Sequence, residues 1–429
     1  MRNYLKTTGT REIKKPVSID YELSSLCNKL EDKPTIINLK EYQNVRAVVG
    51  LCGNRDSLAR SVGTTKENLI FKISKAMEEK GEFSVSNKAP FLENKIEEPD
   101  IIKYIPVPIF YKEKERRYFS SSIVIAKNKE TGTQNMSFHR MMYLGKNKFS
   151  IRITPRHLYE IFNKEQNDLE VCIIIGVHPG VELAAATSYT PDFDELKFAS
   201  VLLKNLEVIK FKNFLIPADA EIVMHGRITK KLAEEGPFVD LTGTMDIERQ
   251  QQIFECDTLY FRNNPLFRVI VPGGLEHRIL MGVPQEPRIY KIISNTVPGI
   301  KNVCLTEGGC CWLHGIVSIK KRKEGDGKNA ILAALAAHPS MKRVVVVDED
   351  IDIFNPLDVE WALATRFQPD RDLIIVPNAR GSSLDPSSDL EKHTTAKYGL
   401  DATIPLDKDC KMFKKTELPL NLNLKDYFE

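Results

Sequence analysis

Two apolar periodicities alternate along the first hundred residues. Ile19, Leu23, Leu26 and Leu30 recur at helical spacing, and the run from Thr35 to Leu39 reads as a short strand. A second apolar strand, Ala47 to Cys52, runs into Gly53. Thr64 or Thr65 then caps a helix that sets Leu69, Ile73, Ala76 and Met77 on one side. These elements predict a small α/β unit, with the polar stretch Asn87 to Asp100 as a linker out of it. From about Ile105 to Val283 the pattern shortens into strands: Ser121 to Ala126, Phe149 to Ile153, Val171 to Val177, Glu221 to Ile228 and Phe267 to Val271. Gly and Pro separate them, as an antiparallel barrel or sheet requires.

The last third returns to α/β. Residues 329–337 (NAILAALAA) read as a helix and Arg343 to Val347 as a fully buried strand. Asn355-Pro356-Leu357-Asp358 is a helix start: Asn caps, Pro fits the first turn, and Asp complements the exposed amides. Val359, Ala362, Leu363 and Phe367 mark the buried face of that helix, ahead of a strand from Leu373 to Val376.

A length of 429 residues exceeds one ordinary core and suits two or three domains. Sixty-one Lys and Arg stand against 58 Asp and Glu, and no basic stripe with interleaved aromatics is visible, which argues against a nucleic-acid partner. The opening MRNYLKTTGTREIKK is too polar for the apolar core of a signal peptide. No run of about 18 apolar residues offers a membrane span. A cytoplasmic protein with reduced thiols is expected. The eight cysteines (27, 52, 172, 256, 304, 310, 311 and 410) include no CxxC pair and are read as buried core.

Glu235 and Asp240 lie five residues apart with a Gly-Pro turn between them, so both carboxylates can face one cavity. A guanidinium beside them would hold one ionised while the other exchanges a proton. Five segments carry a wider pattern in order: Asn135-Met-Ser-Phe-His-Arg140, Glu235-Gly-Pro-Phe-Val-Asp240, Glu307-Gly-Gly-Cys-Cys-Trp312, the stretch from Asp348 to Asp372, and Lys397-Tyr-Gly-Leu-Asp-Ala-Thr403. Together they resemble the UbiD family of decarboxylases over roughly residues 130–405; the first hundred residues match only loosely, through Asn54-Arg55-Asp56. Val239 departs from the family pattern, which has Gly there.

The resemblance implies an α/β (α+β) fold: a small N-terminal α/β domain (1–103), a central flavin-binding split β-barrel domain (104–288) and a C-terminal α/β domain (289–429). It implies Arg140, Glu235 and Asp240 as the acid–base triad, with Asp240 returning the proton after CO2 leaves. It implies prenylated FMN, supplied by a UbiX-type flavin prenyltransferase, because a vinyl or aryl carbanion needs an electron sink that side chains cannot provide. Asn135, His157 and Glu195 would hold Mn2+ or Mg2+, and K+ would sit nearby; oxygen-rich donors with one imidazole suit such ions. Arg156 is a candidate flavin contact. Ser382 and Leu384 occupy the stretch that lines the substrate pocket, where a small hydroxyl removes an aromatic wall.

The implied activity is non-oxidative decarboxylation of a small α,β-unsaturated or aromatic acid. Compact length and a polar pocket favour trans-anhydromevalonate 5-phosphate, giving isopentenyl phosphate in an archaeal mevalonate pathway. A hydroxybenzoate-type decarboxylase is the alternative, and a flavin-binding protein without catalysis is a third. A homo-oligomer is implied, with the run Ala333 to Ala337 as either a contact surface or internal core.

Overall fold

Alternation decides the first sheet. Thr35–Leu39 buries Thr35, Ile37 and Leu39 and leaves the residues between them half-exposed, so one face can pack while the other meets solvent. In a computed structural model, which describes residues 1–191, 193–416 and Tyr427, this strand lies between Arg11–Val17 (parallel) and Arg46–Val49 (antiparallel). The fourth strand of the sheet is Leu266–Arg268, paired parallel to Arg46–Val49. The strand expected at Phe267 to Val271 therefore belongs to the N-terminal sheet, and the chain returns to its first layer after completing its second. The end of the C-terminal segment, 417–426 and 428–429, lies outside the described residues.

The central sheet has nine strands. Its order runs Tyr118–Phe119, Met141–Gly145, Lys148–Ile151, Arg249–Phe261, Ile222–Glu235, Leu169–Ile175, Ile123–Lys127, Gln134–Phe138, with Asn94–Glu97 added alongside Arg249–Phe261. The pairing leaves the two ends unjoined, so this is an open sheet, not a closed barrel. The 14-residue strand Ile222–Glu235 and the 13-residue strand Arg249–Phe261 form its spine. Residues 94–97, read from sequence as linker, are an edge strand because Arg249–Phe261 supplies their hydrogen-bonding partners.

The C-terminal sheet orders Ile300–Leu305, His314–Ile319, Arg343–Asp348, Thr394–Ala402 and Leu373–Arg380. Arg343–Asp348 is apolar at four consecutive buried positions, as a strand covered on both faces requires. Asn355 caps Pro356–Arg366 as expected, its side chain accepting from the Leu357 N–H at 3.0 Å. Thr64 and Thr65 do not cap the N-terminal helix, which runs Leu69–Glu78 and begins after Asn68. Ala334, Leu335 and Ala337 of the helix Asp326–Ala337 are buried within the chain's own core while Ala336 is exposed, so most of that run is interior. Six cysteines are buried; Cys310 is half-buried and Cys410 exposed, against the expectation for those two. Among the described residues no helix is long and apolar enough to cross a membrane.

One ionic knot ties these layers together. Arg268, fully buried, donates to Glu182 (2.8 and 3.1 Å) and to Glu276 (3.0 and 2.7 Å). Glu276 in turn accepts from the Gly50 and Cys52 amides, each at 2.8 Å. One guanidinium serves all four carboxylate oxygens, and the Gly50 and Cys52 amides supply the further donors that the second buried carboxylate needs.

Candidate active site

Arg140 follows the strand Gln134–Phe138 at the bend into Met141–Gly145, and Glu235 is the last residue of Ile222–Glu235. Strand ends bring the two together. The guanidinium donates through Nε to Glu235 Oε1 (2.8 Å) and through Nη2 to Oε2 (2.9 Å), with the carboxylate fully buried. A bidentate fork of this kind fixes both planes as well as both charges. Asp240 Oδ2 stands 3.8 Å from Arg140 Nη1, and its other oxygen accepts from the Leu241 N–H at 2.7 Å. The three residues expected as a triad therefore cluster, with Asp240 the loosest and the most exposed.

Sequence reading missed a third carboxylate. Arg140 Nη2 also donates to Asp246 Oδ2 at 3.0 Å, and Asp246 is gripped from its other side by Arg249. Burial alone would raise the Asp246 carboxyl, but the Arg249 hydrogen bonds and the Arg140 charge hold it at about 2. The loop after Glu235 makes this possible. Gly236 has φ +101°, and a Cβ there would come within 2.9 Å of the Ile247 carbonyl, so the turn requires glycine. The loop folds back on itself: Val239 bridges Met245, and the Asp246 N–H donates to Phe238 O at 2.7 Å.

Aromatic groups close the far side. The Phe238 ring lies under the guanidinium, 4.4 Å from Arg140 Cζ, and meets the Tyr118 ring edge-on at 4.9 Å. Tyr118 donates its hydroxyl to Glu235 Oε1 at 3.3 Å; burial and the Glu235 charge both push that phenol upward, so it stays a donor. His277 is a further missed residue. Its Nδ1 accepts from the Gly273 N–H at 3.0 Å, and burial lowers its pKa below the ordinary value.

A second cluster holds part of the expected metal set. Glu195, the first residue of the helix Glu195–Leu203, is buried and accepts from Asn135 Nδ2 (3.0 Å) and the Met136 N–H (2.9 Å). Asp194 caps the same helix and so fixes where Glu195 points. Burial raises the Glu195 carboxyl to about 8, because two neutral donors only partly offset its lost hydration. A buried carboxylate short of positive charge, beside an amide oxygen that among the described residues has only the Ser137 hydroxyl as a donor, fits a hard divalent cation. His157 opens the helix His157–Lys164 half-buried and is not hydrogen-bonded to Asn135 or Glu195. Among the described residues no three His, Cys, Asp or Glu side chains converge as a metal site. His139, the other imidazole nearby, is a satisfied core residue: it contacts Ser137 and Arg152 O, and burial lowers it to about 4.

Arg156, adjoining His157, faces Arg288 of the helix Glu286–Ser294, and neither forms an ion pair among the described residues. Burial and then the Arg288 charge lower Arg156, as expected where two cations share a space without an anion. Ser382 sits in a tight turn in which its hydroxyl accepts from the Leu384 N–H at 3.3 Å; no contact joins either residue to the Arg140 cluster.

The arginine with its three neighbouring carboxylates sits in a mixed α/β frame, and the relatives of this chain place it among the decarboxylases. The chain belongs to the UbiD family. Residues 83–275 match the 3-octaprenyl-4-hydroxybenzoate carboxy-lyase Rift-related domain, 5–77 the corresponding N-terminal domain and 278–402 the C-terminal domain. Among relatives, the anhydromevalonate phosphate decarboxylase of Methanocaldococcus jannaschii is 45% identical over 417 residues, covering 94% of this chain and 97% of the relative. That of Methanothermobacter thermautotrophicus is 42% identical over 417 residues, covering 95% and 97%. The UbiD-class enzyme HmfF from Pelotomaculum thermopropionicum, solved with FMN, superposes with a TM-score of 0.94 at 34% identity, covering 100% of this chain and 99% of that one.

Proposed function

We propose that this protein decarboxylates trans-anhydromevalonate 5-phosphate to isopentenyl phosphate, without net oxidation, using prenylated FMN from a UbiX-type flavin prenyltransferase. The naming of archaeal relatives at 37–45% identity carries this reading, since they match the chain over nearly its whole length. Arg156 and Arg288, which form no ion pair among the described residues, suit a phosphate group, whether that of the flavin or that of the substrate. When bound, prenylated FMN supplies the electron sink for the charge left as CO2 departs.

The chain's own residues do the rest. Arg140 orients the substrate carboxylate, and Glu235 fixes the direction in which the guanidinium plane points. Asp240, the most exposed of the three carboxylates, delivers a proton to the carbon that has lost CO2. Asn135, Glu195 and His157 would hold Mn2+ or Mg2+, which neutralises the flavin phosphate; K+ beside it would be bound mostly by backbone oxygens. Arg156 would contact that phosphate. Ser382 and Leu384 form one wall of the substrate pocket. The enzyme works in the cytoplasm as a homo-oligomer; an evolved dimeric form of HmfF has been solved with the prenylated cofactor.

The test is direct. Protein co-produced with a UbiX-type prenyltransferase should release CO2 from trans-anhydromevalonate 5-phosphate and yield isopentenyl phosphate. Turnover of 4-hydroxybenzoates in its place would move the protein to the hydroxybenzoate type. Flavin binding with no turnover of either acid would make it a carrier.

A further inference from the structure

The strand Gln134–Phe138 sets Asn135 and Ser137 on one face, and His139 follows just past its end. Three short contacts run along this row. Asn135 Oδ1 stands 3.1 Å from Ser137 Oγ, and Ser137 Oγ stands 3.0 Å from His139 Nε2. His139 Nδ1 in turn lies 2.8 Å from the Arg152 carbonyl. At its other end the Asn135 amide is committed: Nδ2 donates to Glu195 Oε1 at 3.0 Å, which leaves the amide oxygen facing Ser137.

The protons along this row can be counted. An amide oxygen and a backbone carbonyl only accept, while a serine hydroxyl and a neutral imidazole carry one proton each. Three contacts therefore share two protons. The ring is buried, neither of its hydrogen-bond partners is a carboxylate, and the charges near it are those of Arg156 and Arg152, so it stays neutral. The Arg152 carbonyl needs the imidazole proton, which fixes it on Nδ1 and leaves Nε2 a bare acceptor. An imidazole nitrogen is a stronger base than an amide oxygen, so the hydroxyl proton goes to Nε2 and not to Asn135. The contact left without a hydrogen is the one between Asn135 Oδ1 and Ser137 Oγ.

Two bare oxygens that close repel each other unless a cation lies against both. A hard divalent ion in octahedral coordination holds its oxygens at about 2.1 Å, which sets neighbouring ligands about 3.0 Å apart. The spacing of Asn135 and Ser137 matches such an edge, and Glu195 is joined to it through the Asn135 amide. We propose that Ser137 Oγ is a further ligand of the divalent cation, beside Asn135 Oδ1, and that His139 is the positioning residue that draws the hydroxyl proton away from the ion. The proposal rests on the cation site stated above and adds an oxygen that the set Asn135, His157 and Glu195 does not contain. It also gives a task to a buried histidine that is not itself a ligand: Nδ1–H anchors the ring on Arg152, and Nε2 sets the direction of the hydroxyl.

The test is Mn2+ affinity, read by electron paramagnetic resonance as Mn2+ is titrated into flavin-loaded protein dialysed free of metal, so that no turnover enters. Ser137→Ala should weaken Mn2+ by about 10- to 100-fold. His139→Phe, which lets the hydroxyl proton turn onto Asn135, should weaken it by about tenfold or more. His139→Gln returns an amide oxygen that can accept that proton and should recover most of the affinity. In the Ser137→Ala background His139→Phe should cost less than about twofold, since no hydroxyl is left to orient. Unchanged affinity in Ser137→Ala, no rescue by Gln, or equal losses from His139→Phe in both backgrounds would each overturn the proposal. Histidine 15N NMR of the Mg2+-loaded parent gives a second reading, which stands even where His139→Phe does not fold: a neutral ring with its proton on Nδ1. An Nε2–H tautomer or a cationic ring near pH 7 would overturn it. A parent protein that takes up neither Mn2+ nor Mg2+ removes the cation site itself and this proposal with it, whereas parent binding that Ser137→Ala leaves unmoved removes Ser137 alone.

Discussion

Arg140 grips Glu235 through two parallel hydrogen bonds, 2.8 and 2.9 Å, while the same Nη2 also reaches Asp246 at 3.0 Å. The guanidinium is thus shared by two carboxylates, with Nη1 turned toward a third, Asp240. Burial works against its charge, yet Glu235 and Asp246 together raise it above the ordinary arginine value.

That geometry separates Arg from Lys. An ammonium in place of Arg140 keeps a positive charge but cannot make two parallel contacts with Glu235 and still reach Asp246. Arg140→Lys should fold with an unchanged far-ultraviolet spectrum and lose about 100-fold or more in kcat. A lysine variant within tenfold of the parent would mean that charge alone suffices and that the fork has no role.

Asp246 makes the opposite prediction. It already has two bonds from Arg249, so Asp246→Asn releases one contact on Arg140 without unpairing the buried Glu235. Turnover should fall modestly, about tenfold or less, while thermal stability drops because Arg249 loses its ionic partner. Steady-state kinetics and a melting curve on one preparation decide between this and a catalytic role for Asp246, which would give a far larger loss in kcat.

How much of this was legible beforehand depends on whether a signal is local. Asn355, Pro356 and Asp358 sit within one turn, and the helix starts where they say. Thr35–Leu39 was readable because its alternation is complete within five residues. Arg249–Phe261 was not, since RQQQ carries no apolar signal and its strand character comes from pairing with Ile222–Glu235. The site divides in the same way. Arg140, Glu235 and Asp240 lie in short segments with recognisable spacing. Tyr118, Asp246 and His277 arrive through tertiary folding: a cross-strand neighbour, a loop doubled back on itself, and a helix turn fixed by a distant arginine. Nothing in their immediate sequence marks them.

The metal set is tested by composition of the purified protein. His157→Ala should lower manganese and flavin content together, because the ion would neutralise the flavin phosphate. Unchanged manganese by elemental analysis would remove His157 from the ligand set and leave Asn135 and Glu195, the pair the fold holds in contact.

Arg268 and Arg227 provide a matched contrast in stability. Both contact two or more acidic residues, but Arg268 is fully buried whereas Arg227 is 42% exposed. Arg268→Met leaves Glu182 and Glu276 buried without a counter-charge, which costs about 3–5 kcal/mol. Arg227→Met should change stability by about 1 kcal/mol or less, since water already screens that cluster. Urea midpoints measure both, and similar shifts in the two variants would contradict the burial argument.

His338 makes stability depend on pH. It is 2% exposed, contacts Trp312 O at 3.1 Å and packs edge-on against the Trp312 ring at 4.5 Å. Burial, and then the charge of Arg288, lower it from 6.5 to about 4. In the unfolded chain it takes up a proton near 6.5; in the folded chain it resists until about 4. Across that interval the unfolded state binds more protons, so stability falls as pH drops from about 6.5 to about 4 and is level with respect to this group above it. His139 adds to the same slope, being lowered to about 4 by burial. His338→Gln cannot titrate but keeps an amide donor for Trp312 O. Thermal midpoints measured from about pH 7.5 down to about pH 5 should therefore fall less steeply in His338→Gln than in the parent, even where the variant melts lower at neutral pH. Parallel curves would mean that the buried imidazole is protonated in the fold as readily as outside it.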